Sequence, residues 1–177
     1  MNKLFFILLL MLSVAVQAAP PFAGIFIVPE AARHTAPDFV SENLRGGKTG
    51  LADYRGKLVL LNFWATWCRP CRAEMPDMEK LWQKYREQGF VVVAVSSDEA
   101  SKKQVETFSK LLGLSFPILL DPEAEVSELY KVSGMPTSFL IDVNGNIISR
   151  IIGTEEWFSA EAVQLVEELL SRSLPSP

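Results

Sequence analysis

Cysteine and histidine are scarce in this chain: two and one, respectively, in 177 residues. A structural zinc site needs about four such ligands, and beyond Cys68 and Cys71 the chain offers only His34, far upstream and outside metal-finger spacing. That argues against a metal site. Two cysteines also allow one bridge at most, so no disulfide framework holds the molecule together. Positive charge is in short supply as well: 17 Lys and Arg stand against 21 Asp and Glu, a net charge of −4, with no basic stripe or arginine-rich run. This argues against nucleic acid as a partner. No internal repeat or low-complexity segment is visible. What remains is a chain of ordinary single-domain size, 49% hydrophobic, that must stand on its own core.

The N-terminus has a different composition. Met1-Asn2-Lys3 leads into an apolar stretch from Leu4 to Leu12 and on to Val16, followed by the small residues of Val16-Gln17-Ala18-Ala19. This pattern reads as a secretory signal cut after Ala18, spanning residues 1–18. The apolar core is shorter than the roughly 20 residues of a membrane span, although an uncleaved anchor is the alternative. No cysteine follows the signal, so lipid attachment there is excluded. Export, to the periplasm or otherwise outside the cytoplasm, is the expected location, with tethering to the inner membrane if the signal stays. Residues 19–35 form an extension containing the apolar island Pro20–Pro29, read as an added edge strand or a loose arm. The domain proper is expected over residues 36–174.

Within it, strand and helix patterns alternate. Leu58–Phe63 and the valine-rich Phe90–Ser96 are continuous apolar runs, as expected of central strands covered on both faces. Between them, Met75, Met78, Leu81, Trp82 and Tyr85 recur at helical steps up to a stop at Gly89. Ser101–Leu112 carries Val105, Phe108 and Leu111 at helical spacing; Phe116–Leu120 is a short strand, and Glu123–Lys131 a short helix with Val126, Leu129 and Tyr130 on one face. Ser138–Val143, the turn signal Asn144-Gly145 and Ile147–Ile152 form a hairpin. Ser159 opens a terminal helix with Val163, Val166, Leu169 and Leu170 on one face. Such an order predicts an α/β fold with a mixed sheet between helices.

Both cysteines lie in Cys68-Arg69-Pro70-Cys71, where the first apolar strand gives way to a helix. At a helix N-terminus, unpaired N–H groups and the positive end of the dipole favour a thiolate over a thiol. Arg69 and Arg72 add positive charge, so the Cys68 pKa is expected well below the free value of about 8.5. Pro70 fits because the first helical turn has no N–H partner to lose. Cys71, one turn on, shares the face of Cys68 and lies within bridging reach. The pair reads as a redox dithiol, with Cys68 as attacking nucleophile and Cys71 as resolving thiol. A purely structural bridge would close so small a loop that chain entropy contributes only roughly 2 kcal/mol.

Four blocks carry a resemblance: Ala36-Pro37-Asp38-Phe39, then Asp53-Tyr54-Arg55-Gly56-Lys57, then Asn62-Phe63-Trp64-Ala65-Thr66-Trp67-Cys68-Arg69-Pro70-Cys71, then Gly134-Met135-Pro136-Thr137-Ser138-Phe139-Leu140-Ile141-Asp142. With them the chain resembles the exported TlpA-like and ResA-like thiol-disulfide oxidoreductases of the thioredoxin fold, within the AhpC/TSA-redoxin superfamily. The resemblance implies a three-layer sandwich, a mixed sheet flanked by helices, with a strand-helix insertion over Asp98–Asp121 and the N-terminal extension. It implies a cis bond at Met135-Pro136 beside the dithiol, with the Met135 backbone and Arg69-Pro70 meeting the partner. Trp67 and Trp64 would supply apolar surface at the site, Trp67 being open to core packing instead. Asn62 occupies the place where cytoplasmic thioredoxins have a buried aspartate and cannot act as a base. Glu74, three residues after Cys71, is the candidate proton acceptor for Cys71; a solvated carboxylate in an early helical turn is the alternative.

The resemblance further implies protein thiols and disulfides as substrates, apocytochrome c or another metalloprotein among them, and a membrane electron donor of the DsbD or CcdA kind. No cofactor beyond the cysteine pair is expected, and a monomer is. It points to a reductant, whereas the thiolate-stabilising Arg69-Pro70 points toward an oxidant, so direction stays open. Two other functions remain: a thiol peroxidase, against which stands Ala65 where peroxiredoxins have a threonine, and a Cu(I) carrier using both thiolates.

Overall fold

The computed structural model describes residues 25–99 and 101–173. The signal segment 1–18, the start of the extension and the tail Pro175–Pro177 lie outside the described residues. Eight strands form one sheet: β1 (His34–Thr35), β2 (Val40–Asn43), β3 (Lys48–Gly50), β4 (Leu58–Trp64), β5 (Phe90–Ser96), β6 (Ile118–Leu120), β7 (Thr137–Ile141) and β8 (Asn146–Ile152). The helices are α1 (Arg69–Tyr85), α2 (Lys102–Leu111), α3 (Glu125–Leu129) and α4 (Ala160–Ser173). The strand order is β1-β8-β7-β4-β5-β6-β2-β3. The β4, β5 and β6 strands run parallel, and the rest pair antiparallel, so the sheet is mixed as the sequence predicts.

The two apolar runs become β4 and β5, and every residue of both is buried. Alternation sorts their side chains between the faces. Leu58, Leu60, Trp64, Phe90, Val92 and Ala94 meet Met75, Met78 and Leu81 of α1 and Leu165, Val166 and Leu169 of α4. Val59, Leu61, Phe63, Val91, Val93 and Val95 pack on the other face with Phe39, Leu51, Val126 and Tyr130. Helices thus cover both faces, giving three layers. The α1 helix runs unbroken through Pro76. Among the described residues, no helix is long and apolar enough to cross a membrane.

Part of the N-terminal extension joins this sheet. The Val28 N–H donates to Ile148 O at 2.8 Å, Ser149 Oγ donates to Phe26 O, and β1 pairs with β8 just beyond. The described end of the apolar island is therefore docked along β8, and Ile25 is buried there.

Two expected core positions face outward. Leu111 is 80% exposed, and Leu129 is exposed as well. A step of three residues lags a full helical turn by about 60°, so two such steps from Val105 carry Leu111 about 120° off the core stripe. Ser109, four residues after Val105, is buried instead.

Candidate active site

The site forms where β4 ends at the centre of the sheet. Ala65 is fully buried, its carbonyl accepts the Cys68 N–H at 3.1 Å, and Cys68 takes the N-cap position of α1 with φ −76° and ψ 100°. Pro70 stands in the first helical turn, as expected. Cys68 and Cys71 form a disulfide with Cα atoms 5.3 Å apart, and the Cys71 N–H points at Cys68 Sγ at 3.3 Å. Cys71 is fully enclosed, while Cys68 keeps 4% of its surface, the sulfur nearer the outside. Arg69 and Arg72 are exposed on the same helix.

The two tryptophans divide. Trp67, before the nucleophile position, is 71% exposed. Trp64 departs from the expectation that it lends surface to the site: it is fully buried, its ring 5.4 Å from that of Phe108. Strand alternation explains the split, since Trp64 is the last residue of β4 and points into the α1 face of the core, whereas Trp67 lies in the turn beyond the sheet.

Met135-Pro136 is cis. Phe63 of β4 registers with Thr137 of β7, which brings Pro136 beside the end of β4; Met135 packs, half-buried, on the cluster that contains both cysteines. Gly153 N–H donates to Pro136 O at 2.9 Å, and Thr137 Oγ1 donates to Gly134 O at 2.7 Å.

Glu74 is the buried carboxylate of the site, with 3% of its surface exposed. Three donors hold it: Asn62 Nδ2 to Oε1 at 2.9 Å, and the Glu155 N–H and Trp157 Nε1 to Oε2, both at 3.2 Å. Asn62 Nδ2 also reaches Ser138 Oγ at 3.0 Å, while Asn62 Oδ1 is buried without a partner. Burial pushes the Glu74 pKa up to about 7; the donors pull the other way, and the nearby charge of Glu155 adds to the rise. With Ala73, Asp77, Thr154, Glu155 and Glu156, Glu74 also borders an open cleft. Of the two readings of Glu74, the solvated side chain does not hold.

Sequence reasoning missed Trp157, Glu155 and Ser138, which reach the site from distant segments, and it missed Asp98. The Asp98 carboxylate is buried and accepts the Thr66 N–H at 2.8 Å, Thr66 Oγ1 at 2.5 Å and Ser96 Oγ at 2.7 Å. It ties the turn before Cys68 to the end of β5. One available signal was its place just beyond the carboxyl end of a central parallel strand, where sites in open α/β sheets collect.

A dithiol at the N-cap of a helix, a cis-proline loop beside it and a buried carboxylate one turn further along define a CxxC thiol-disulfide oxidoreductase of the thioredoxin fold. A family model described as the AhpC/TSA family matches residues 32–150. The chain belongs to that family, and within it is ResA-like. It is 40% identical over 178 residues to the thiol-disulfide oxidoreductase ResA of Bacillus cereus (strain ATCC 10987 / NRS 248), covering 98% of each chain. To the ResA of Geobacillus kaustophilus (strain HTA426) it is 49% identical over 120 residues, 68% of each. Among solved structures, a thiol:disulfide interchange protein DsbE from Chlorobium tepidum superposes with a TM-score of 0.69 at 35% identity, over 80% of this chain and 96% of that one. StoA from Bacillus subtilis superposes at 0.61 with 30% identity, over 74% and 95%.

Proposed function

We propose that this chain is an exported reductant of protein disulfides, and that residues 1–18 direct it out of the cytoplasm. The observation that carries the mechanism is the buried Glu74 one helical turn beyond a dithiol whose outer sulfur sits at a helix N-cap. In the reduced protein, the N–H groups that open α1 favour a Cys68 thiolate. That thiolate attacks one sulfur of a client disulfide, and the other client sulfur leaves and takes a proton. Cys71 then gives its proton to Glu74 and attacks Cys68 Sγ, releasing the second client thiolate. Two electrons pass to the client, and the protein is left as the Cys68–Cys71 disulfide.

Trp67, Arg69, Pro70 and Met135 form the surface that meets the client, the Met135 backbone lying along an extended client segment; Pro136, expected there too, is buried and instead shapes the cis turn that presents Met135. The cysteine pair is the whole redox group, with no added cofactor. The client is apocytochrome c or another metalloprotein thiol pair, and a membrane donor of the DsbD or CcdA kind restores the dithiol. Similarity to ResA over nearly the full chain supports this reading.

The deciding experiment is the equilibrium reduction potential of the pair in glutathione or dithiothreitol buffers. A value near thioredoxin's, about −270 mV, supports a reductant; one near DsbA's, about −120 mV, replaces it with an oxidant.

A further inference from the structure

Beside the dithiol, at a cleft that shares no lining residue with the one at Glu74, the surface is largely apolar. Trp67 and Leu111 are among the most exposed large hydrophobic side chains of the described residues, and both border one open cleft with Phe108, Lys103, Gln104 and Thr107. The cause lies in α2. Its core stripe is spent on Val105 and the inner part of Phe108, so Leu111, about 120° round the helix, is left facing the nucleophile's turn. An exposed apolar pair next to a reactive sulfur points to recognition rather than to packing.

We infer that this cleft between Trp67 and α2 binds an apolar side chain of the client, close in sequence to the client cysteine that joins Cys68. The proposal deepens the reading above and rests on it. Continuity selects the occupant: Trp67 is next to Cys68 in the chain, is 71% exposed and lines the cleft, so a client held in a mixed disulfide at Cys68 has this cleft within reach of its neighbouring side chains. Charge selects its neighbours. The cleft is lined by one cation, Lys103, and no carboxylate, whereas the cleft at Glu74 is bordered by Asp77, Glu155 and Glu156. An apolar residue flanked by an acidic one fits this side.

The test uses the full chain, reduced, with decapeptides whose single cysteine is joined to glutathione. Leucine is placed two, three or four residues to either side of the cysteine, with a glutamate beside it; controls carry serine for leucine or lysine for glutamate. The expected result, in single turnover of the reduced protein, is a lower half-saturating concentration for at least one leucine–glutamate peptide, and a second-order rate constant about tenfold above its serine control, as a difference of about 1.4 kcal/mol gives. Leu111→Ser and Leu111→Asp should abolish that preference while glutathione disulfide reacts at the wild-type rate, and Lys103→Glu should favour the lysine peptide. Leu111 is exposed enough that these changes leave the core intact.

Equal rates for all peptides, or a preference that survives Leu111→Asp, overturns the proposal and leaves the oxidoreductase reading standing. A dimer that Leu111→Asp abolishes, without any peptide preference, assigns the surface to a second copy and also overturns it. Failure to exchange with glutathione disulfide overturns both readings.

Discussion

Asp98 holds Thr66 twice, taking its backbone N–H at 2.8 Å and its hydroxyl at 2.5 Å. Thr66 is two residues before Cys68, so the turn that presents the nucleophile is anchored to a carboxylate 32 positions away in the chain. Asp98→Ala leaves the Thr66 N–H and the Ser96 hydroxyl without this acceptor. Since charge-assisted hydrogen bonds contribute about 1.5–3 kcal/mol, the substitution should destabilise the oxidised protein by about 2–4 kcal/mol in urea unfolding. A loss below about 1 kcal/mol would mean that water replaces the carboxylate.

Glu74 makes stability depend on pH in an unusual direction for a carboxylate. Its folded pKa, about 7, lies above the ordinary 4.5, so the folded state holds its proton more tightly than the unfolded chain does. The contribution is complete below the unfolded value and is lost as pH rises through the folded one. Between pH 4.5 and 7, the wild type should lose up to about 3 kcal/mol relative to Glu74→Gln, which has no such proton to release. Unfolding of both oxidised proteins across that range measures the difference. A gap that stays constant or changes in the opposite sense would contradict the assignment.

The same residue should govern the second step of exchange. Glu74→Gln leaves attack by Cys68 in place and removes the acceptor for the Cys71 proton, so resolution of a preformed mixed disulfide should slow by about 10²–10³-fold near neutral pH and lose its inflection near pH 7. Stopped-flow release of the client thiol reads this step. An unchanged profile removes Glu74 from the mechanism.

Trp157 tunes that carboxylate from outside the CxxC segment. Its indole N–H favours the ionised form, so Trp157→Phe, which keeps an aromatic ring but no donor, should move the Glu74 titration above pH 7. Carboxyl NMR of the oxidised protein follows the midpoint directly. A midpoint that stays put or falls would show that the indole does not set it.

Gly50 pairs with Val40 where β3 lies on β2, and a Cβ there would stand 2.5 Å from the Phe39 carbonyl oxygen. Backbone, unlike a long side chain, cannot swing away. Gly50→Ala should therefore cost about 1–3 kcal/mol, measured by thermal or urea unfolding, with the reduction potential unchanged.

Much of this molecule can be read locally. The order of strands and helices, the Asn144-Gly145 hairpin, the stop at Gly89 and the placement of Cys68 at a helix start all depend on neighbours a few residues apart. Periodicity, capping and turn chemistry act over that range, and the elements follow with boundaries shifted by only a few residues. Leu111 is an instructive exception: spacing of three suggested one face, but the drift of the helix turned it outward.

The sequence by itself thus determined the dithiol, its strand–turn–helix setting and the mixed sheet, and the family resemblance it carries added Met135-Pro136 beside the CxxC. Only the tertiary structure decided that Trp64 is interior and Trp67 exterior, that Asp98 anchors the turn, and that Glu74 is sealed among Asn62, Glu155 and Trp157. The physical reason is range. A residue's chemistry is written in its side chain, whereas its burial, its partners and hence its proton affinity are set by segments that meet it only when the chain has folded.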